Sequence, residues 1–220
     1  MMDVLLSILT VRPMFFRYTV RFTPEAPESL FSRGGLPSLR CMFGIPDRLV
    51  MTFAHMNGLF EDFGSYVPKH MTDELEQDIK RMKPILRVST EPFLMIGRMV
   101  VQQAWFQAAL IYLYMGLCGC DSTDKRVVTV RSQFMKLLAS TKPRRSMDSF
   151  LGFPFVVLGV ATESQEERNM IRRRMLVVYE CARPGRMGNE FVRILENVWS
   201  KHRPMVWSDL RQACWEVTCV

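Results

Sequence analysis

The sequence predicts an all-α domain of about eight helices packed around a hydrophobic helix at about residues 91–118. Three observations carry that expectation. Apolar residues recur at spacings of three and four over most of the chain after Pro46. Residues suited to starting helices stand ahead of those stretches, and no convincing pair of strand-like runs occurs. No repeat period is present, so a solenoid built on sequence repeats is not expected.

Taken in order, residues 1–46 hold no sustained period and carry Pro24, Pro27, Pro37, Pro46 and Gly34-Gly35. They read as an irregular, unassigned N-terminal segment, with an all-helical domain following at 47–220. Asp47 is placed to cap a helix whose face is Leu49, Phe53, Met56, Phe60 and Phe63. Thr72 is placed to cap a second, with Leu75, Ile79 and Met82 on its face and Pro84 as its stop. Thr90-Glu91-Pro92 opens the longest element, since a first helical position has no N–H bond for proline to lose. That helix starts amphipathic and becomes apolar all round from Ala104, as a buried helix does. After the Asp121–Asp124 turn, Val127, Val130, Phe134 and Leu137 share a face. Ser146 or Asp148 is placed to start a helix running through Phe150 to Val160. Ser164 with Glu167 forms a capping-box signature for a helix burying Ile171, Met175 and Val178, with Arg172 to Arg174 partly on its outer face and Pro184-Gly185 at its end. Asn189 and Ser208 are placed to cap the last two helices, which carry Val192, Leu195 and Trp199, then Leu210, Cys214 and Val217.

The 220 residues are 48% hydrophobic and 23% charged, which excludes wholesale disorder and gives a chain long enough to fill a core without staples. Net charge is +7, and the excess lies in the C-terminal half. Either that half meets nucleic acid or anionic lipid, or its arginines solvate helix faces; the latter is expected, because no run of five like charges exists. Arg168 and Arg172 to Arg174 are the densest candidates for phosphate contact, and surface pairing with Glu166, Glu167 and Glu180 is the alternative. Lys142-Pro143-Arg144-Arg145-Ser146 stands as a solvated loop, with a nuclear-import signal or a kinase site as the sharper reading.

Six cysteines, at 41, 118, 120, 181, 214 and 219, form no C-x-x-C pair, so neither a zinc cluster nor a disulfide framework is expected. They read as small core hydrophobes in a reducing compartment. His55, His70 and His202 are far apart in sequence, no nucleophile motif or phosphate loop occurs, and acidic pairs such as Glu61-Asp62 point to different helix faces. No catalytic, cofactor-binding or metal residue is assigned, and an enzyme is not expected. Seventeen methionines suit either core filling or a malleable binding surface, while Trp105, Trp199, Trp207 and Trp215 read as packing anchors. Met1–Phe16 carries Asp3 where a secretory signal needs positive charge, so no targeting segment is expected. The apolar runs at 104–120 and 150–162 fall short of the about 20 residues a span needs and are expected in the core; two membrane spans are the alternative.

Gln103-Ala104-Trp105, followed by Ala108-Ala109-Leu110-Ile111-Tyr112-Leu113-Tyr114-Met115-Gly116-Leu117-Cys118-Gly119, resembles the fungal-specific transcription factor domain, the helical regulatory region found downstream of a binuclear zinc cluster. Further matches follow in order at Leu75-Glu76 to Lys83-Pro84, Arg168 to Arg174, Glu180 to Gly185, Gly188-Asn189-Glu190-Phe191 and Trp207-Ser208-Asp209-Leu210, so the resemblance runs from about residue 47 to the C-terminus. It implies a nuclear regulatory domain of a transcription factor that does not itself make sequence-specific DNA contacts. Its partners would be proteins of the transcription machinery, a second copy, or a small-molecule effector, with no membrane. No cofactor is implied in this chain; a zinc cluster would lie upstream if the chain is a fragment. Phe106 and Gln103 stand where similar sequences commonly have Arg and Glu, so an ion pair there is missing. A helical interaction domain without a transcriptional role is the alternative function.

Overall fold

The computed structural model describes residues 1–18, 39–85, 92–178 and 182–218. These residues form α1 (Met2–Thr10), α2 (Leu39–Phe43), α3 (Asp47–Phe63), α4 (Lys69–Arg81) and α5 (Pro92–Tyr112), which passes into a π-helical turn at Leu113–Leu117. Next come α6 (Lys125–Ala139), α7 (Arg145–Asp148), α8 (Gly152–Val160), α9 (Gln165–Leu176), α10 (Met187–Trp199) and α11 (Trp207–Thr218). No strand occurs among the described residues, so the fold is all-α as the periodicity predicts.

The first departure is at the N-terminus. Residues 2–10 are a helix, not an irregular segment, and Val4, Leu5, Ile8 and Leu9 lie buried on one side of it. Arg12 and Pro13, which interrupt the apolar run in the sequence, fall just past the helix end, where Val11 turns left-handed at φ 51°. Their effect is to stop α1, not to prevent it. α1 packs on α3 and α11. Asn57 fixes it by donating Nδ2–H to the Val4 carbonyl at 3.0 Å while accepting the Tyr112 hydroxyl at 2.9 Å. Residues 39–43 are also helical, and the prolines at 24, 27 and 37 lie outside the described residues.

Several helices begin earlier than their expected caps. Pro46 and Pro68, both extended, set the starts of α3 and α4. Asp47 is therefore inside its helix, where its carboxylate accepts the Leu39 N–H at 2.9 Å. Thr72 is buried in the first turns of α4 and bonds its own backbone at Lys69. Asn189 lies within α10 and donates to the Ala182 carbonyl at 3.4 Å, and Ser208 follows the first residue of α11. Ser164 does cap as expected, accepting the Glu167 N–H at 3.2 Å, and Asp124, read from the sequence only as part of a turn, caps α6 by accepting the Arg126 N–H at 2.8 Å. The capping box at Ser164 is only half made, because the Glu167 carboxylate faces Arg131 Nε at 3.8 Å.

One expected helix is two. Pro154 has no N–H to give to the Phe150 carbonyl, so a continuous helix from 146 to 160 would lose a bond. The chain instead turns at Ser149–Leu151 and restarts as α8, leaving Pro154 in a first turn, where no bond is lost. Pro184-Gly185 likewise does not end α9, which stops at Leu176.

α5 begins at Pro92 and packs against α3, α4, α6, α7 and α8; Thr90 and Glu91 lie outside the described residues. From Ala104 to Leu117 every side chain is buried except the half-buried Gln107. Gly116 sits in the π-helical turn because a Cβ there would meet the Tyr112 ring at 2.6 Å. The core joins all the long helices: Trp105 stacks on Phe153 at 5.1 Å, Phe53 meets the edge of Phe153 at 5.9 Å, and Tyr112 lies 5.0 Å from Trp207. Trp105, Trp199 and Trp207 are packing anchors, but Trp215 is 58% exposed beneath Arg12. The run 150–162 is buried from Leu151 onward apart from half-buried Gly152, and no helix among the described residues is long and apolar enough to cross a membrane.

Replacing Tyr112 by phenylalanine removes one hydroxyl from this core and strands the buried Asn57 amide oxygen. A loss of about 1–3 kcal/mol is expected, read as a lower urea midpoint at unchanged slope.

Candidate functional site

The most basic segment of the chain, Arg168 to Arg174, lies on α9 against α8 and α10. The four arginines have separate fates. The guanidiniums of Arg168 and Arg172 both lie over the Trp199 ring, 5.5 and 5.6 Å from its centroid. Cation–π contact there uses their faces, while Arg172 also bonds Glu196 (3.1 Å) and Asn169 (2.7 Å). Arg173 folds back on the Asn169 carbonyl at 3.3 Å.

Arg174 is not on the outer face at all. It is 2% exposed, and its guanidinium spans from α9 to the α6–α7 loop. Nη2 and Nε donate to Asp148 Oδ1 at 2.8 and 3.2 Å, and Nη1 donates to the carbonyls of Leu138 (2.8 Å) and Thr141 (2.9 Å). Asp148 closes the arrangement by accepting the Arg144 N–H at 3.0 Å through its other oxygen. Burial pushes the Asp148 carboxyl up, and Arg174 works against that push. The result is a clasp: one buried ion pair holds α6, the loop at 140–144, α7 and α9 together. Helical geometry supplies the reason. Ile171, Arg174, Met175 and Val178 are spaced three, one and three apart, so Arg174 shares the buried side.

Of the expected acidic partners, Glu167 pairs with Arg131 instead and Glu180 lies outside the described residues; Glu196 takes Arg172. Sequence reasoning missed both Glu196 and Asp148.

A second charged knot ties the start of α11. Asp209, 3% exposed, accepts from the Val206 N–H (2.9 Å), Lys201 Nζ (2.9 Å) and Arg203 Nη2 (2.7 Å). Burial pushes its carboxyl up, but these donors outweigh burial and hold it below the ordinary carboxylate range. Because the folded carboxyl releases its proton more readily than the unfolded one, its contribution is present above the unfolded value, about pH 4, and is lost as pH falls through the lower folded value. Asp209→Asn is therefore expected to unfold at a lower midpoint at pH 7 and to lose less stability than the parent between pH 4 and pH 2, in urea melts run across that range.

Cys120 and Cys214 are buried and Cys118 is half-buried, all as free thiols. Arg126 Nη2 lies 2.9 Å from Cys120 Sγ, and its guanidinium lies over the Tyr114 ring at 5.1 Å. Cys214 donates toward the Leu9 carbonyl at 3.4 Å, tying α11 to α1. Among the described residues no three His, Cys, Asp or Glu side chains are grouped to hold a metal ion, and these cysteines do not fit a binuclear zinc cluster. The three histidines are exposed and separate.

No protein of the curated set and no solved structure matches the chain. A family model does match, over residues 1–219, and so takes in the N-terminal residues that the sequence resemblance left out. With α1 built into the same core as α3, α5 and α11, that span agrees with the packing. The chain belongs to the fungal specific transcription factor domain family.

Proposed function

We propose that the chain is the regulatory, non-DNA-contacting domain of a fungal transcription factor, modulating transcription in the nucleus through protein or small-ligand contacts. Membership of the family supports a regulatory role in transcription. The observation that carries the finer reading is how Arg168 to Arg174 are used. Phosphate contact needs guanidinium donors turned outward, singly or as bidentate forks. Here two arginines lie over Trp199, one of them also bonded to Glu196, one bonds its own helix and one is buried in the clasp. The net charge of +7 then acts as a diffuse field, not as a groove-reading surface. Partners of this domain are proteins of the transcription machinery, another copy, or an effector molecule. No catalytic step is assigned to it.

The test is fluorescence-anisotropy titration of the purified chain against labelled duplexes of random and scrambled sequence, at several salt concentrations. The expected result is weak, sequence-independent binding, no tighter than about 1 μM at physiological salt and falling steeply as salt rises. Nanomolar binding that distinguishes one sequence from its scramble overturns the reading.

A further inference from the structure

Cys118 and Cys120 flank Gly119 at the point where α5, through its π-helical turn, comes to an end. Such turns recur at functional sites because they perturb one stretch of an otherwise regular helix. Gly119 holds φ at 66°, in the left-handed region, and a Cβ there would sit 3.1 Å from the Ser65 carbonyl oxygen. The chain therefore turns tightly between the two cysteines. Two residues apart, their Cα atoms lie within about 7 Å, close enough for two sulfurs to close on one atom. Both thiols feel the same guanidinium: Arg126 bonds Cys120 Sγ at 2.9 Å and acts electrostatically on Cys118. The exposed Gly119 and half-buried Cys118 leave the pair reachable from solvent.

Three classes of reagent take thiol pairs. Soft cations meet a guanidinium already in contact with the sulfurs, and like charges at that range repel. Peroxides need thiolate, and burial pushes both thiols up, Cys120 to about 11, against the pull of Arg126. An uncharged thiophile that reacts with protonated thiols and yields an uncharged adduct meets neither obstacle.

We propose that Cys118 and Cys120 form a dithiol site for uncharged trivalent arsenicals of the type R–As(OH)2. Two As–S bonds form and two As–O bonds break. Each thiol proton leaves with one hydroxyl, so two waters are released, arsenic stays trivalent and no electrons are transferred. The sulfurs are drawn toward one atom. The Cys118 and Cys120 N–H groups bond the Leu113 and Tyr114 carbonyls at 3.1 and 3.0 Å, so the pull acts on the backbone of the π-helical turn, whose side chains are in the core. This site goes beyond the regulatory reading and does not depend on it.

The experiment uses the full chain, reduced with a phosphine, and phenylarsine oxide as the probe. Intact-mass titration is expected to give an adduct that peptide mapping places on the segment containing Cys118 and Cys120. Cys118→Ser and Cys120→Ser are each expected to weaken that adduct by about 100-fold or more, since a single sulfur loses the gain of joining two contacts. Cys214→Ser leaves it unchanged. Arg126→Gln leaves arsenical binding within about 3-fold and strengthens cadmium binding, because it removes charge repulsion and no arsenical contact. Mapping of the adduct to other cysteines, or its survival in either single serine variant, overturns the proposal, as does failure of any adduct to form. The mapping is done on the parent chain and so decides the matter even where a serine variant folds poorly.

Discussion

Asp148→Ala is expected to lower stability by about 3–5 kcal/mol, the usual consequence of removing one partner of a buried ion pair. Arg174 is left 2% exposed with its charge uncompensated. The midpoint of urea unfolding should fall while the slope stays constant, marking a change in stability and not in the exposed surface. Replacing both partners by apolar residues of similar volume, as in Arg174→Met with Asp148→Leu, often restores stability at such sites. Here restoration should be partial. Arg174 also serves the Leu138 and Thr141 carbonyls, and Asp148 also holds the Arg144 N–H, so the double variant leaves several backbone groups without those partners. A deficit of about 1–3 kcal/mol should persist in it. Full recovery would mean that the ion pair, and not the bracing of the loop, is all that the clasp contributes.

Ile8→Ala is expected to cost about 2–5 kcal/mol, as truncation of a fully buried aliphatic side chain does. Leu6→Ala, two residues away on the exposed side of the same helix, should fall within about 0.5 kcal/mol of the parent. The contrast tests whether α1 belongs to the domain core. Ile8 is 1% exposed and Leu6 49%. Equal, small effects at both positions would show that α1 is not part of the core.

Much of the helical pattern was legible because it rests on local signals. Pro92 at a first helical position, Ser164 as a cap, and the apolar run from Ala104 are each visible within a few residues. Errors came where a second residue competed with the local rule. Pro68 fixes the start of α4 three residues before Thr72 can cap anything, and Pro154 divides what its apolar neighbours suggest is one helix. At the N-terminus, Val4, Leu5, Ile8 and Leu9 already have helical spacing, but the stretch is short and its burial depends on α3 and α11, far away in sequence.

The clasp was half legible. A run of three arginines reads as solvated surface, yet Arg174 falls on the same side of the helix as Ile171 and Met175, and an arginine there needs an acid. Asp148, the acid just ahead of the apolar run 150–162, was the available signal. The choice of partner could not be read, because 26 residues and a turn separate the two. Arg126 and its thiols were hidden for a related reason: Cys118 and Cys120 have no metal-ligand spacing, and only the end of α5 brings a guanidinium to them.

The role proposed for this fold is regulation of transcription without direct reading of DNA. Its most direct measurement fuses the full chain to an unrelated sequence-specific DNA-binding module and reads a reporter bearing that module's site in a fungal cell. The expected output is clearly different from that of the module alone and returns toward the module's level when Asp148→Ala weakens the fold. A fusion that accumulates to the same level by blot, yet gives the same output as the module alone, would contradict it.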